Sequence, residues 1–164
     1  MANHIVNTII VRFEKNKQEL AQRLFDSMNG AGRLDALYES PQDTRGWWET
    51  HIGAKWARLQ DMEVSDGEFY LNIESAWHEI EPFVNRLNEL FEDECEIRHE
   101  WVDEMPTWFG FRLYEQGRCS HEFIRELTEE ELQQEYRDNH DGAEPTEDAM
   151  WDWMWDWCYD QIGE

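Results

Sequence analysis

The sequence predicts an α+β fold: an antiparallel sheet with two helices on one face, followed by an acidic helical extension. Three observations predict it. Apolar and polar residues alternate along several short segments, as they do in half-buried strands. Two segments between these carry the 3.6-residue spacing of amphipathic helices. Ten tryptophans in 164 residues are far too many for a disordered acidic chain, so most of the sequence must fold.

The elements follow in order. His4 to Phe13 is β-branched and apolar, a buried strand. Asn16 to Met28 turns to helical spacing, with Leu20, Leu24, Phe25 and Met28 on one face, and Gly30 and Gly32 close it. Residues 33–55, with Pro41, Gly46 and Gly53, predict irregular structure. Lys55 to Val64 predicts a strand, Ser65-Asp66-Gly67 a tight turn, and Glu68 to Trp77 a second strand. Pro82 opens a helix carrying Phe83, Val84, Leu87, Leu90 and Phe91. Cys95 to Val102 and Trp108 to Tyr114 alternate again, separated at Met105-Pro106. The order β-α-β-β-α-β-β begins with the ferredoxin-like split βαβ pattern, and the last strand extends its edge. Thr128 and Glu131 form a capping box that starts a helix running to about Arg137, and Glu144-Pro145-Thr146 starts a final one. The expected domains are 1–117, ferredoxin-like, and 118–164, an acidic, Trp-rich helical extension packed on it.

Gly53-Ala54-Lys55-Trp56 ahead of one strand, Ser75-Ala76-Trp77 at the end of the next, the Pro-opened helix, Phe109-Gly110 and Tyr114-Glu115-Gln116-Gly117 form a pattern. It resembles the YubB-type ferredoxin-like family of small phage- and plasmid-borne proteins, over about residues 4–117. Ala54 and Ser75 stand where that family usually has threonine. The resemblance implies a ferredoxin-like fold and a mobile-element origin, and brings no catalytic residues.

Charge narrows the function. The chain has 38 Asp+Glu against 14 Lys+Arg, a net of −24. Residues 1–91 carry a net of −6, residues 92–164 a net of −18, and no lysine follows Lys55. Such a surface repels nucleic acid and anionic membranes and attracts basic proteins. No apolar run approaches the roughly 18 residues of a membrane span. The first residues lack the basic and apolar regions of a leader. Three widely spaced cysteines fit reduced thiols. Together these predict a cytoplasmic protein, in the host cell's cytoplasm if phage-encoded. The oligomeric state stays open, a dimer included.

Enzyme chemistry finds little footing. Cys95 and His99, about 13 Å apart along a strand, do not suit one zinc ion, nor do Cys119 and His121 with their spacing. A calcium loop around Asn139, Asp141 and Gly142 fails because Arg137 takes the first ligand position. There is no nucleophile elbow, phosphate loop or dinucleotide fingerprint. No catalytic residue, metal or cofactor is therefore expected. Trp47, Trp48 and Trp56 beside Lys55 form either part of a core or a small-ligand pocket.

The last segment, Met150 to Asp160, holds four tryptophans among aspartates. As a helix it places Trp151, Met154, Trp155, Cys158 and Ile162 on one face and Asp148, Asp152, Asp156 and Asp160 in a stripe beside it. Trp153 and Trp157 then fall beyond the stripe, as exposed anchors for a partner. Like charges four residues apart cost about 0.2–0.5 kcal/mol per pair. Asp156, Asp160 and Glu164 also sit at the negative end of the helix dipole. A stripe kept against these costs points to use. The expectation is a non-enzymatic protein that mimics DNA and inhibits a basic, DNA- or RNA-binding host defence protein. Its contact residues would be Glu129, Glu130, Glu131, Asp148, Asp152, Asp156, Asp160, Trp153 and Trp157. Surface scaling gives about 360 Å² per net charge, against roughly 100 Å² on duplex DNA, so mimicry needs the acids gathered on one face. The alternatives are an interaction module built on the Trp-rich helix, with acids only flanking, and a small-ligand protein.

Overall fold

The structure is a computed structural model that describes residues 3–55, 57–105 and 107–163. Met1, Ala2, Trp56, Pro106 and Glu164, which enter the expectations above, lie outside the described residues. The chain folds as α+β. Its strands are β1 (His4–Phe13), β2 (Arg58–Ser65), β3 (Glu68–Ala76), β4 (Cys95–Asp103), β5 (Trp108–Glu115) and β6 (Arg118–Glu126). Its helices are α1 (Gln18–Ala31), α2 (Arg45–His51), α3 (Glu81–Leu90), α4 (Glu129–Asn139) and α5 (Glu147–Gly163). The strands form one antiparallel sheet in the order β2-β3-β1-β4-β5-β6.

β1 is the sheet's most apolar strand and takes a central place, with Ile9 opposite Leu71 on one side and His99 on the other. Helix α1 ends at Gly32, whose φ of 68° any Cβ would resist. Pro82 sits in the first turn of α3, where its missing N–H costs nothing. Thr128 caps α4, its hydroxyl accepting from the Glu131 N–H at 3.1 Å.

Two expectations need correcting. Residues 33–55 are not irregular throughout. Leu34–Leu37 forms a 3-10 turn, and Thr44 caps α2 by accepting from the Trp47 N–H at 3.3 Å. Nor is 118–164 wholly helical. Gln116 and Gly117 both have positive φ, 52° and 78°, which is the geometry of a two-residue hairpin turn matched to strand twist. The chain reverses there into β6, so a boundary at 117 would cut a hairpin.

Side chains alternate across the sheet, and each face carries its own core. On one face Ile9, Val11, Phe69, Leu71, Ile73, Ile97 and Tyr114 meet Leu24, Met28, Trp48, Phe83, Val84 and Leu87 from α1, α2 and α3. On the other, Val102 and Phe109 meet Leu127, Leu132 of α4 and Met154, Trp157, Cys158 and Ile162 of α5. The extension is thus a second helical layer over the β4-β5-β6 half.

A polar thread runs through the first core. The Asn7 side-chain amide donates to Ser75 Oγ at 2.9 Å and to the Ile73 carbonyl at 3.1 Å. Its Oδ1 in turn accepts a hydrogen bond from the His99 Nε2–H at 2.9 Å. His99 is wholly buried, and its Nδ1 has no partner among the described residues. Beside it Trp101 lies under the Arg112 guanidinium at 4.8 Å, which Glu79, Glu81 and Glu122 hold in place at 2.8, 3.2 and 2.8 Å.

Candidate functional site

Helix α5 rests on the sheet by one side and leaves the other to solvent. The resting side is Met154, Trp157, Cys158 and Ile162, all buried. Arg98 fastens its end, donating from Nη2 to the Ile162 carbonyl at 2.7 Å while its guanidinium covers Phe111 at 4.2 Å.

Trp153 and Trp157, expected as exposed anchors, are not. Trp157 is buried, with Phe109 edge-on at 5.8 Å and Arg125 over its ring at 5.2 Å. Trp153 is half-buried, stacked on Trp157 at 5.2 Å and edge-on to Tyr136 of α4 and to His140 just past its end at 5.4 and 5.5 Å. The reason is α4. The apolar arc of α5 runs almost round the helix, and α4 brings Tyr136 and His140, stacked at 4.0 Å, against one part of it. That rotates the buried side away from Trp151.

The aromatic residues left in view are therefore Trp151, 50% exposed, and Tyr159, 38% exposed, with half-buried Trp155 between them. Ring contacts at 6.3 and 6.5 Å join the three into a row. Burial, then Glu100, Tyr70 and Cys158, raises the Tyr159 hydroxyl above its ordinary pKa, so it stays a neutral donor. Asp148, Asp152, Asp156 and Asp160 are exposed, as the stripe requires. At i, i+4, i+8 and i+12 they climb about 18 Å of helix. Each aromatic residue of the row is i+3 from one aspartate, so the two rows lie side by side. Among the described residues no ion pair reaches any of the four aspartates.

Glu129, Glu130 and Glu131 are exposed in the first turn of α4, where the helix dipole favours them. Among the described residues no hydrogen bond or ion pair joins them to the aspartate row. The site thus gathers one aspartate row and one aromatic row on α5, with the glutamates on the neighbouring helix. The sequence reading missed Trp155 and Tyr159 as contact residues and placed Trp151 in the core. The four-residue spacing 151, 155, 159 carried the signal; the position of α4 did not lie in it.

Of the Trp47, Trp48, Lys55 and Trp56 group, Trp48 is buried and lines a hollow together with Lys55, whereas Trp47 stacks on His51 at 4.7 Å against Tyr38. Among the described residues no three His, Cys, Asp or Glu side chains are grouped to hold a metal ion, and no helix is long and apolar enough to cross a membrane.

No known protein family and no curated protein matches the chain. Among solved structures it is similar to the crystal structure of api92 from Yersinia pseudotuberculosis, of the family DUF1281, at 18% identity and a TM-score of 0.41. The likeness covers 57% of this chain and 34% of that one, so the chain spans about a third of its length.

Proposed function

We propose that this is a non-enzymatic binding protein whose α5 face docks on a basic protein that handles nucleic acid. The supporting observation is the pair of parallel rows on one exposed helix face: four aspartates that no ion pair reaches among the described residues, and three aromatic residues in contact. The carboxylates stand in for phosphates, and Trp151, Trp155 and Tyr159 supply the desolvated anchor that a charged stripe alone lacks. The sheet order of β1 to β4, with crossovers α1 and α3, is read as a ferredoxin-like core, in keeping with the YubB-type resemblance. That resemblance favours a phage or plasmid origin, a host cytoplasm as the place of action, and inhibition of a restriction, CRISPR or similar defence protein as the outcome. A second reading, in which the aromatic row enters a groove and the acids only flank it, draws on the same exposed rings.

The test is capture of partners from host lysate on the tagged protein at low and high salt, with DNA as competitor. The proposal expects a nucleic-acid-binding partner, released by salt and by DNA and lost on the folded quadruple variant Asp148→Asn, Asp152→Asn, Asp156→Asn, Asp160→Asn. A partner that resists salt and DNA, survives the quadruple variant and is lost on Trp151→Ala with Tyr159→Ala selects the second reading. Capture unchanged by both variants would sink both.

A further inference from the structure

Far less acidic than α5 is the end of the sheet where β3 runs out and β2 begins. Two hollows lie there, each with Lys55 in its lining. The larger, of about 740 Å³, is lined by His4, Arg33, Arg58, Asp43 and the Trp48 ring. The smaller, of about 430 Å³, is lined by Arg45, Glu49, His78 and Trp77. Both fall within the roughly 300–1,000 Å³ of small-molecule sites. Four of the 14 Lys+Arg residues of a chain with net charge −24 converge on them.

Trp77 is the unusual member. It is 55% exposed, more than any other large apolar side chain described. Its φ of 71° lies in the left-handed region, which a bulky side chain occupies only when its surroundings enforce it. Three bonds do so. The Trp77 N–H donates to the Asn3 carbonyl at 2.8 Å, the His78 N–H to the Ala76 carbonyl at 2.9 Å, and the Ser75 hydroxyl to the His78 carbonyl at 2.6 Å. The turn therefore presents a flat, rigid ring to solvent at the rim of a cationic hollow. Such strain is characteristic of ligand-holding positions.

The cations already have carboxylate neighbours: Arg58 has Glu74 at 2.6 Å, Arg45 has Glu49 at 2.6 Å, and Arg33 holds Asp35 at 3.1 Å through both Nε and Nη2, with Asp43 further off at 3.8 Å. The Arg58 and Arg45 pairs are solvent-exposed on the arginine side, at 67 and 75%, so they contribute little and a phosphate can displace them, whereas the two-point Arg33–Asp35 pair stays in place as part of the wall. A guanidinium takes phosphate in two parallel bonds. Arg33 covers the Trp48 ring at 5.7 Å, and the Trp48 indole N–H, in the same wall, has no partner among the described residues.

We propose that the two hollows together bind a free nucleoside phosphate, its base stacked on Trp77 and its phosphate held by Lys55 and Arg58. The aromatic platform beside a cation cluster selects this class, since every nucleobase has a face to stack and the phosphate needs the arginine fork. The site is separate from α5 and does not depend on the function proposed for it.

Calorimetric titration of the full chain with AMP, GMP, CMP and UMP, each against ribose 5-phosphate and orthophosphate, decides it. At least one mononucleotide is expected to bind at least about tenfold more tightly than ribose 5-phosphate, a difference that stacking supplies. Trp77→Ala and Lys55→Gln each weaken it about tenfold or more, and Trp77→Phe recovers most of the loss. Thermal melts confirm that each variant is folded; should Trp77→Ala fail to fold, Trp77→Leu takes its place. The quadruple aspartate variant is expected to bind nucleotide as the parent does. No binding up to about 1 mM, affinity unmoved by Trp77 and Lys55 substitution, loss in the aspartate variant, or much tighter binding of a single-stranded oligonucleotide would each overturn the proposal.

Discussion

Trp157 touches Phe109, Trp153 and Arg125 within one buried patch, whereas Trp151, six residues earlier on the same helix, has a ring contact with Trp155 and is half in water. Truncating a buried aromatic residue removes its transfer energy and leaves a cavity, so Trp157→Ala is expected to cost about 3–5 kcal/mol. Trp151→Ala is expected to stay within about 0.5 kcal/mol of the parent. Urea unfolding monitored by circular dichroism measures both, and equal costs would mean that α5 docks by a different side. His99 makes a second residue-scale prediction. Burial first, and then the Arg112 charge, lowers its pKa from 6.5 to about 3. A base with a lowered folded pKa is stabilising in its neutral form. Its full contribution is present above about pH 6.5, and it is lost as the pH falls, because only the unfolded chain takes up the proton. Relative to His99→Gln, the parent should lose up to about 1.4 kcal/mol per pH unit below 6.5, until about pH 3. The difference is expected to be flat between pH 7 and 8. A difference that is also flat between pH 6.5 and 5 would mean that His99 is not held neutral.

The elements differ in how far their own residues determine them. β1, α1, β3, α3, β4 and β5 each carry a full period in the sequence and fold within two or three residues of expectation. α2 was hidden because seven residues with Gly46 in the first turn give no periodic signal, and only Thr44 marks its start. β6 was hidden differently: Cys119 to Glu126 is almost all exposed, so it has no apolar alternation to read, and only Gln116-Gly117 announces its turn. On α5 the aspartate row was legible because charges declare an exposed face. The aromatic anchors were not, because with tryptophans on nearly every side the buried arc is set by Tyr136 of α4 and by His140 at its end rather than by α5 itself. The row makes its own prediction. Asp152→Asn, Asp156→Asn and Asp160→Asn together remove three like-charge i, i+4 pairs and should stabilise the chain by about 1 kcal/mol. Asp148 stays in this variant because it favours the helix N-terminus. If these substitutions stabilise the fold while weakening partner binding, the row is held against stability by its use. Destabilisation would mean that the carboxylates have structural partners.

Over the whole molecule, −24 net charges share 9440 Å² of accessible surface, and most of the imbalance lies in residues 92–164. Packing opposes this repulsion through two cores, one on each face of a single sheet, so the acidic helices are tied to β4, β5 and β6 rather than left to swing free. The repulsion itself is long-ranged. At about 0.01 M salt the screening length is roughly 30 Å, the size of the protein, and at about 0.1 M it is roughly 10 Å. Nearly all acid–acid repulsion should therefore be relieved over that range, while the short ion pairs, such as Arg112 with Glu79 at 2.8 Å, barely change. The midpoint of thermal unfolding is expected to rise between about 0.01 and 0.1 M sodium chloride and then level off, where a purely salting-out effect would keep climbing. The triple aspartate variant should show a smaller rise, since part of its repulsion is already gone. A midpoint that is independent of salt, or a rise of equal size in the variant, would mean that the acids are too well spaced to repel and that the α5 row adds no concentrated field. In that case the salt-sensitive docking proposed for α5 would lose its electrostatic basis, and the aromatic row alone would have to carry the interaction.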